Sequence, residues 1–270
     1  MPVDVSAVVL RNTRLSDDYN VLTLAAPQIG ELTQPGQFVM VKAGVTIDSI
    51  LRRPFSIFEV IRERERITAI SILNKRAGTN TRALYALETG DQVACLGPLG
   101  RPFTTLSARH AWMVAGGVGL APFATLAESL ASSATPMTLF YGARRARELF
   151  YLEYFERLGA RLVLATEDGS RGIRGLVTVP LEVALAELGS RDAAMIYACG
   201  PEPMLEAVAT LATRYGQPSE VSVERVMGCG LGGCYSCVVP VRDAANESRF
   251  VRSCIGGPVF NGADIMWEKC

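Results

Sequence analysis

The first hundred residues read as short, mainly apolar runs at 4–10, 20–25, 37–41, 55–60, 66–73 and 92–96, broken by Gly and Pro. Turn signals stand between them at Pro35-Gly36, Thr89-Gly90-Asp91 and Gly97-Pro98. Many short strands at this spacing predict a small barrel or sandwich, with one helix within 79–87. From about Ser107 the rhythm changes. Apolar runs at 111–115, 137–141, 161–166 and 193–198 alternate with helical patterns near 122–131, 147–158, 180–188 and 202–215, and a last strand follows at 220–224. This alternation predicts a parallel sheet covered by helices on both faces, with ligands beyond the carboxyl ends of its strands. Residues 226–270 are rich in Cys and Gly and lack a long helical pattern. A metal centre would keep so small a segment ordered.

The chain of 270 residues is long enough for two or three domains, and its 49% hydrophobic residues can bury a large core. Lys+Arg and Asp+Glu both number 27, so no net charge attracts nucleic acid or an anionic membrane. Asp4 and Arg11 interrupt the apolar N-terminal stretch, unlike a signal peptide. The most apolar window, 111–127, holds three Gly and one Pro and suits a strand, a turn and a helix start better than a membrane span. These features predict a soluble, cytoplasmic protein. With His110 the one histidine, Ser–His or Cys–His catalysis is not expected.

Four of the seven cysteines carry the strongest chemical signal: Cys229, Cys234, Cys237 and Cys254. Their C-x4-C-x2-C…C spacing is that of plant-type 2Fe–2S ligation. Structural zinc usually takes two C-x2–4-C pairs, whereas here three cysteines share one loop. The intervening glycines let that loop fold tightly, and its N–H groups can donate to the sulfurs. Cys95 and Cys270 read as bystanders.

Two further motifs point to nucleotides. Arg53, Pro54, Phe55 and Ser56 start a strand, where a guanidinium can match a pyrophosphate and a Ser can bond a flavin ring. Gly78 and Thr79 precede a helix, a ready anion site. Gly116, Gly117 and Gly119, with Pro122, follow the first strand of the second half, and Cys199, Gly200 and Pro201 repeat the strand–Gly–helix arrangement. Two such turns on one sheet edge can clasp a dinucleotide. Cys199 reads equally as a small buried thiol. A carboxylate of Glu167 or Asp168 can accept from a ribose diol, as in NAD, or cap a helix or turn. Arg144, Arg145 and Arg147 suit a 2′-phosphate or plain solvation.

Together these motifs, with Gly97-Pro98-Leu99-Gly100, resemble the ferredoxin–NADP reductase superfamily. The C-terminal run from Met227 through Cys237, followed by Arg252-Ser253-Cys254-Ile255-Gly256-Gly257-Pro258, is similar to the electron-transfer subunit of class 1B, NAD-dependent dihydroorotate dehydrogenase. The resemblance implies an FAD-binding antiparallel β-barrel at 1–103, an NAD-binding parallel-sheet α/β domain at 104–225 and a small 2Fe–2S ferredoxin-like domain at 226–270. It places Arg53, Pro54, Phe55 and Ser56 on FAD, Gly78 and Thr79 at its phosphates, and Ser71, Ile72 and Leu73 beside the flavin, where the family often has an Arg. It places Cys229, Cys234, Cys237 and Cys254 on the cluster. It further implies a heterotetramer, two of each chain, with an FMN-bearing catalytic subunit that holds the dihydroorotate site. Electrons would pass from that FMN through the cluster and FAD to NAD⁺, in pyrimidine biosynthesis, without nucleic acid or membrane. A subunit of another NAD(P)H:ferredoxin-type oxidoreductase and a zinc-bearing nucleotide-sensing regulator are the competing readings.

Overall fold

The computed structural model describes residues 1–44, 51–105, 109–188, 193–243 and 245–269, so Ser107 and Cys270 lie outside the described residues. Its first six strands are β1 (Val3–Arg14), β2 (Tyr19–Leu24), β3 (Phe38–Ala43), β4 (Arg53–Glu63), β5 (Arg66–Lys75) and β6 (Gln92–Leu99). They close into an antiparallel barrel in the order β1-β2-β5-β4-β3-β6, which decides between the barrel and the sandwich. Helix α1 (Pro27–Gly30) links β2 to β3, and α2 (Thr79–Ala86) links β5 to β6. Alternate side chains, among them Val9, Leu22, Val39, Ile57, Ile72 and Cys95, fill the interior. Burial pushes the Cys95 thiol up to about 12, in keeping with an inert cysteine.

The second half contains β7 (His110–Gly116), α3 (Pro122–Ser132), β8 (Met137–Ala143), α4 (Leu152–Arg157), β9 (Ala160–Thr166), β10 (Ile173–Arg174), α5 (Thr178–Glu187), β11 (Ala194–Cys199), α6 (Glu202–Arg214) and β12 (Ser219–Ser222). The remainder holds β13 (Val238–Arg242), β14 (Ser248–Arg252), α7 (Ser253–Gly256) and β15 (Val259–Asn261). The main sheet runs β10-β9-β8-β7-β11-β12-β15. On β7, Ala111, Met113 and Ala115 join the core beneath α3 and α4, while Trp112 and Val114 join that beneath α5 and α6. Burial on both faces explains why these strands read as continuous apolar runs.

Three departures from the sequence expectation have local causes. The helix expected at 147–158 breaks into a 3-10 turn at Ala146–Glu148 and the short α4, with Tyr151 left-handed at φ 59° between them. Phe150 packs on Tyr19 at 5.0 Å and Tyr151 on Phe58 at 4.7 Å, so aromatic contacts with the barrel override helix continuation. The two-residue β10 is too short to leave a periodic signal. Finally, β15 crosses from the Cys-rich segment to pair antiparallel with β12, so the last segment is stitched into the sheet it follows.

The barrel meets α3 and α4 through Phe58 and, beside it, a polar cluster. Ser71 Oγ donates to Glu59 Oε2 at 2.7 Å, and the Tyr154 hydroxyl donates to Glu128 Oε1 at 2.7 Å. Burial raises the Glu59 carboxyl above its usual range; the Ser71 bond offsets part of this, Glu128 adds to it and Arg11 opposes it. The folded protein therefore holds this proton more tightly than the unfolded chain. The stability this contributes is complete below the ordinary carboxylate pKa and is lost as pH rises through the raised one. Glu59→Gln should accordingly leave the melting temperature unchanged at pH 4 and raise it at pH 8. Melts followed by circular dichroism would show this, and equal shifts at both pH values would count against it.

Candidate functional site

The hairpin β13–β14 brings the distant cysteine to the loop. Val238 pairs with Arg252, and Ser253 N–H donates to the Cys237 carbonyl at 2.9 Å, so Cys237 and Cys254 flank the root of one hairpin. Their thiols meet each other, and those of Cys229 and Cys234 meet likewise. Gly230 (φ 73°), Gly232 (φ 80°) and Tyr235 (φ 58°) take left-handed backbone that curls the loop round these sulfurs. Leu231 N–H points at Cys229 Sγ from 3.3 Å. Ser236 Oγ stands 3.2 Å from Cys234 Sγ. Hydrogen bonds from Ser236 and from Cys229 bring the Cys234 thiol down to about 6, whereas burial and then Cys237 push Cys254 up to about 12. Among the described residues, no three His, Cys, Asp or Glu side chains gather round a single ion. Cys229 with Cys234 and Cys237 with Cys254 can offer two thiolates to each of two irons.

This loop rests on the barrel. Met227, Cys237 and Cys254 form one apolar cluster with Phe38 and Met40 of β3 and Leu96 and Leu99 of β6. Gly230 lies so near Met40 that a Cβ there would stand 2.7 Å from Met40 Cγ. The flavin motif is the next strand over. Ser56 pairs with Phe38 and Pro54 with Met40, and paired residues project to the same face of a sheet. Pro54 and Ser56 therefore point to the face on which the cysteine loop sits, one strand spacing of about 4.8 Å away. Of the two arginines, Arg52 is engaged by Asp4 at 2.6 Å, while exposed Arg53 donates to the backbone carbonyls of Leu51 and Arg52.

On β5 the three predicted flavin neighbours differ. Ser71 serves Glu59, Ile72 points into the barrel core, and Leu73 joins the core shared with α3. The side chains of Ser71 and Ile72 are thus committed inside the protein. Ile57 pairs with Ile72, which brings Ser56 and Leu73 to one level on adjacent strands. Gly78 caps α2 in extended conformation, with open space where a side chain would project. Thr81 Oγ1 accepts from Ala77 N–H at 2.9 Å and Gly78 N–H at 2.8 Å, fixing the chain's entry into the helix. The guanidinium carbons of Arg14 and Arg76 lie 4.8 and 5.0 Å from the centre of the Tyr85 ring, and Arg76 also meets Asp18 at 3.4 Å.

The two glycine turns of the second half meet. Ala115 pairs with Cys199, so both turns leave the carboxyl ends of adjacent parallel strands. A Cβ on Gly119 would stand 2.1 Å from the Cys199 carbonyl oxygen, and one on Gly116 would stand 2.8 Å from Pro201 Cδ and Met204 Sδ. One on Gly200 would stand 3.1 Å from Gly116 Cα. These glycines interlock the turns with each other; Gly117, at φ 56° with nothing near, is the one left facing open space. That cradle, at a sheet crevice, fits a dinucleotide diphosphate. Burial pushes the Cys199 thiol up to about 12 against a Ser222 hydrogen bond, the small-thiol reading. Asp168 accepts from Ser170 N–H at 2.9 Å and Ser170 Oγ at 2.6 Å, which lowers its carboxyl and fits the turn cap. Arg144 grips Glu148 through two nitrogens at 3.3 and 3.2 Å; Arg145 and Arg147 are exposed.

Three domain families match consecutive stretches: an oxidoreductase FAD-binding domain at 6–103, an oxidoreductase NAD-binding domain at 113–210, and the iron-sulfur cluster binding domain of dihydroorotate dehydrogenase B at 224–266. The dihydroorotate dehydrogenase B (NAD(+)) electron transfer subunit of Desulforamulus reducens is 39% identical over 90% of each chain. That of Fusobacterium nucleatum is 31% identical over 96% of this chain and 97% of its own. The chain belongs to the family of dihydroorotate dehydrogenase B electron transfer subunits. As a family member it is an NAD-linked oxidoreductase with FAD, NAD and iron–sulfur domains, which sets aside the zinc-bearing regulator. Its fold is that of the NADH-dependent reduced ferredoxin-NADP oxidoreductase (TM-score 0.84, 24% identity, 98% of this chain and 91% of that one). The flavohem-like FAD/NAD binding domain of Vibrio cholerae nitric oxide dioxygenase aligns over 80% of this chain and 97% of its own, at TM-score 0.65 and 21% identity. No described helix is long and apolar enough to cross a membrane. The packing of Phe38 and Met40 under the cluster loop was not singled out in the sequence, although the unbroken apolar run at 38–41 signals a strand covered on both faces.

Proposed function

We propose that this chain carries electrons in the cytoplasm from the FMN of a dihydroorotate dehydrogenase catalytic subunit to NAD⁺, within a heterotetramer of two of each chain. The reading assigns a 2Fe–2S cluster to Cys229, Cys234, Cys237 and Cys254, and FAD to Arg53, Pro54, Phe55, Ser56, Gly78, Thr79 and the backbone at 71–73. It assigns the nicotinamide nucleotide to Gly116, Gly117, Gly119, Cys199, Gly200 and Pro201, with domain boundaries near 103 and 225. The observation that carries it is the seating of the cysteine loop on β3, one strand from the flavin motif. When bound, a flavin exchanges electrons singly with an iron–sulfur centre and as hydride with a nicotinamide.

The chain's own part is placement. Met40 and Phe38 keep water from the space between loop and motif, and the interlocked turns of β7 and β11 hold the nucleotide at the carboxyl edge of the sheet. Arg53, exposed and bonded among the described residues to backbone carbonyls, is offered to a pyrophosphate. Arg53→Ala should cut FAD affinity about tenfold, the worth of one charge-assisted bond. Dialysis followed by flavin fluorescence would report it, and stoichiometric flavin after dialysis would end that role. The purified chain alone should reduce a dye with NADH and leave dihydroorotate untouched. Turnover of dihydroorotate by the isolated chain would contradict the division of labour.

A further inference from the structure

The hairpin that delivers Cys254 also delivers an arginine to the cysteine loop. Arg252 ends β14, opposite Val238 and two residues before Cys254. Its Nη1 donates to the Gly232 carbonyl at 2.7 Å, and its guanidinium carbon lies 4.6 Å from the centre of the Tyr235 ring. Gly232 lies in the loop between Cys229 and Cys234. Arg252 therefore grips the loop at a residue that stands between two of the proposed sulfur ligands. Gly232 sits at φ 80°, a conformation that ordinary residues rarely adopt, and Ile255 crowds it from the other side. Tyr235, itself left-handed at φ 58°, lays its ring against the guanidinium and fixes its plane.

We propose that Arg252 is a positioning residue for the cluster: by gripping the Gly232 carbonyl it fixes the loop between Cys229 and Cys234 and brings a positive charge to that loop. The proposal rests on the four-cysteine reading above and adds a residue to it. Donors and cations beside an iron–sulfur centre favour its reduced, more negative state, so Arg252 raises the reduction potential. Lys can supply the charge but not the planar fork that grips a carbonyl and stacks on a ring.

The test is a redox titration of the anaerobically prepared full chain, followed by electron paramagnetic resonance, with iron and acid-labile sulfide measured on the same samples. Arg252→Gln should keep its iron and shift the one-electron equilibrium about tenfold toward the oxidised cluster, which is about 59 mV lower in potential. The resonance of the reduced centre should shift with it. Arg252→Lys should recover part of the potential. Tyr235→Leu, which keeps the arginine but frees its plane, should lower the potential by less than Arg252→Gln. Wild-type potential and resonance in a fully loaded Arg252→Gln protein would overturn the clamp and leave the cluster reading standing. If Arg252→Gln loses its iron, Tyr235→Leu decides: a lowered potential supports the clamp, an unchanged one overturns it. A wild-type chain without iron and sulfide would overturn the cluster reading and the clamp together.

Discussion

Cys237→Ser should strip the protein of its cluster absorption while NADH-dependent reduction of a dye, which draws on FAD alone, persists. Cys237 is buried against Met40, Leu99 and Cys254, and its thiol is half of one sulfur pair. Groups that merely orient a metal's ligands are worth about 10–100-fold in affinity, so a lost ligand should cost at least the upper figure. Electron transfer with the catalytic partner should fall by roughly 100-fold or more on the same basis. Visible spectra and iron analysis read the first effect, and cytochrome-free assays of the reconstituted complex read the second. An unchanged spectrum with full iron would remove Cys237 from the ligand set.

Gly119→Ala should damage the nucleotide site from within. The added Cβ would stand 2.1 Å from the Cys199 oxygen and 2.7 Å from Gly200 N, both backbone atoms that no rotamer change can move aside. The β7 turn must then lift from the β11 turn. Overpacking of this kind costs about 1–3 kcal/mol. Charged against NAD binding, that is about tenfold or more. Steady-state kinetics with a dye acceptor should show a raised KM for NADH, with FAD and iron content as in the parent. A KM within experimental error of the parent would show that the interlock does not shape the nucleotide site.

How far these features could be read from sequence follows from the range of the interactions behind them. The cysteine loop was legible because Cys229, Cys234 and Cys237 and the glycines among them are close neighbours in the chain, and the two glycine turns because each marks a strand-to-helix junction. The barrel and the parallel sheet were legible from apolar runs and their punctuation. What stayed hidden depends on contacts distant in sequence. Phe150 and Tyr151 leave the helical pattern only because Tyr19 and Phe58 await them on the barrel. Glycines at 116, 119 and 200 read as space for a diphosphate, yet they are small because the turns touch each other. Ser71 read as a flavin neighbour, yet its hydroxyl answers Glu59 across a strand pair. Arg252 opens the Arg252–Pro258 run, but nothing in that run signals its contact, which it acquires from a hairpin that lays it beside Gly232.

The proposed relay depends on two sulfur pairs, Cys229 with Cys234 and Cys237 with Cys254, holding two irons on the barrel face beside the flavin motif. Anaerobic titration with NADH, followed by electron paramagnetic resonance, addresses this most directly. The account predicts that NADH bleaches the flavin and raises the signal of a reduced 2Fe–2S centre in proportion to FAD. Complete flavin bleaching with no such signal, in protein that contains no sulfide, would contradict it.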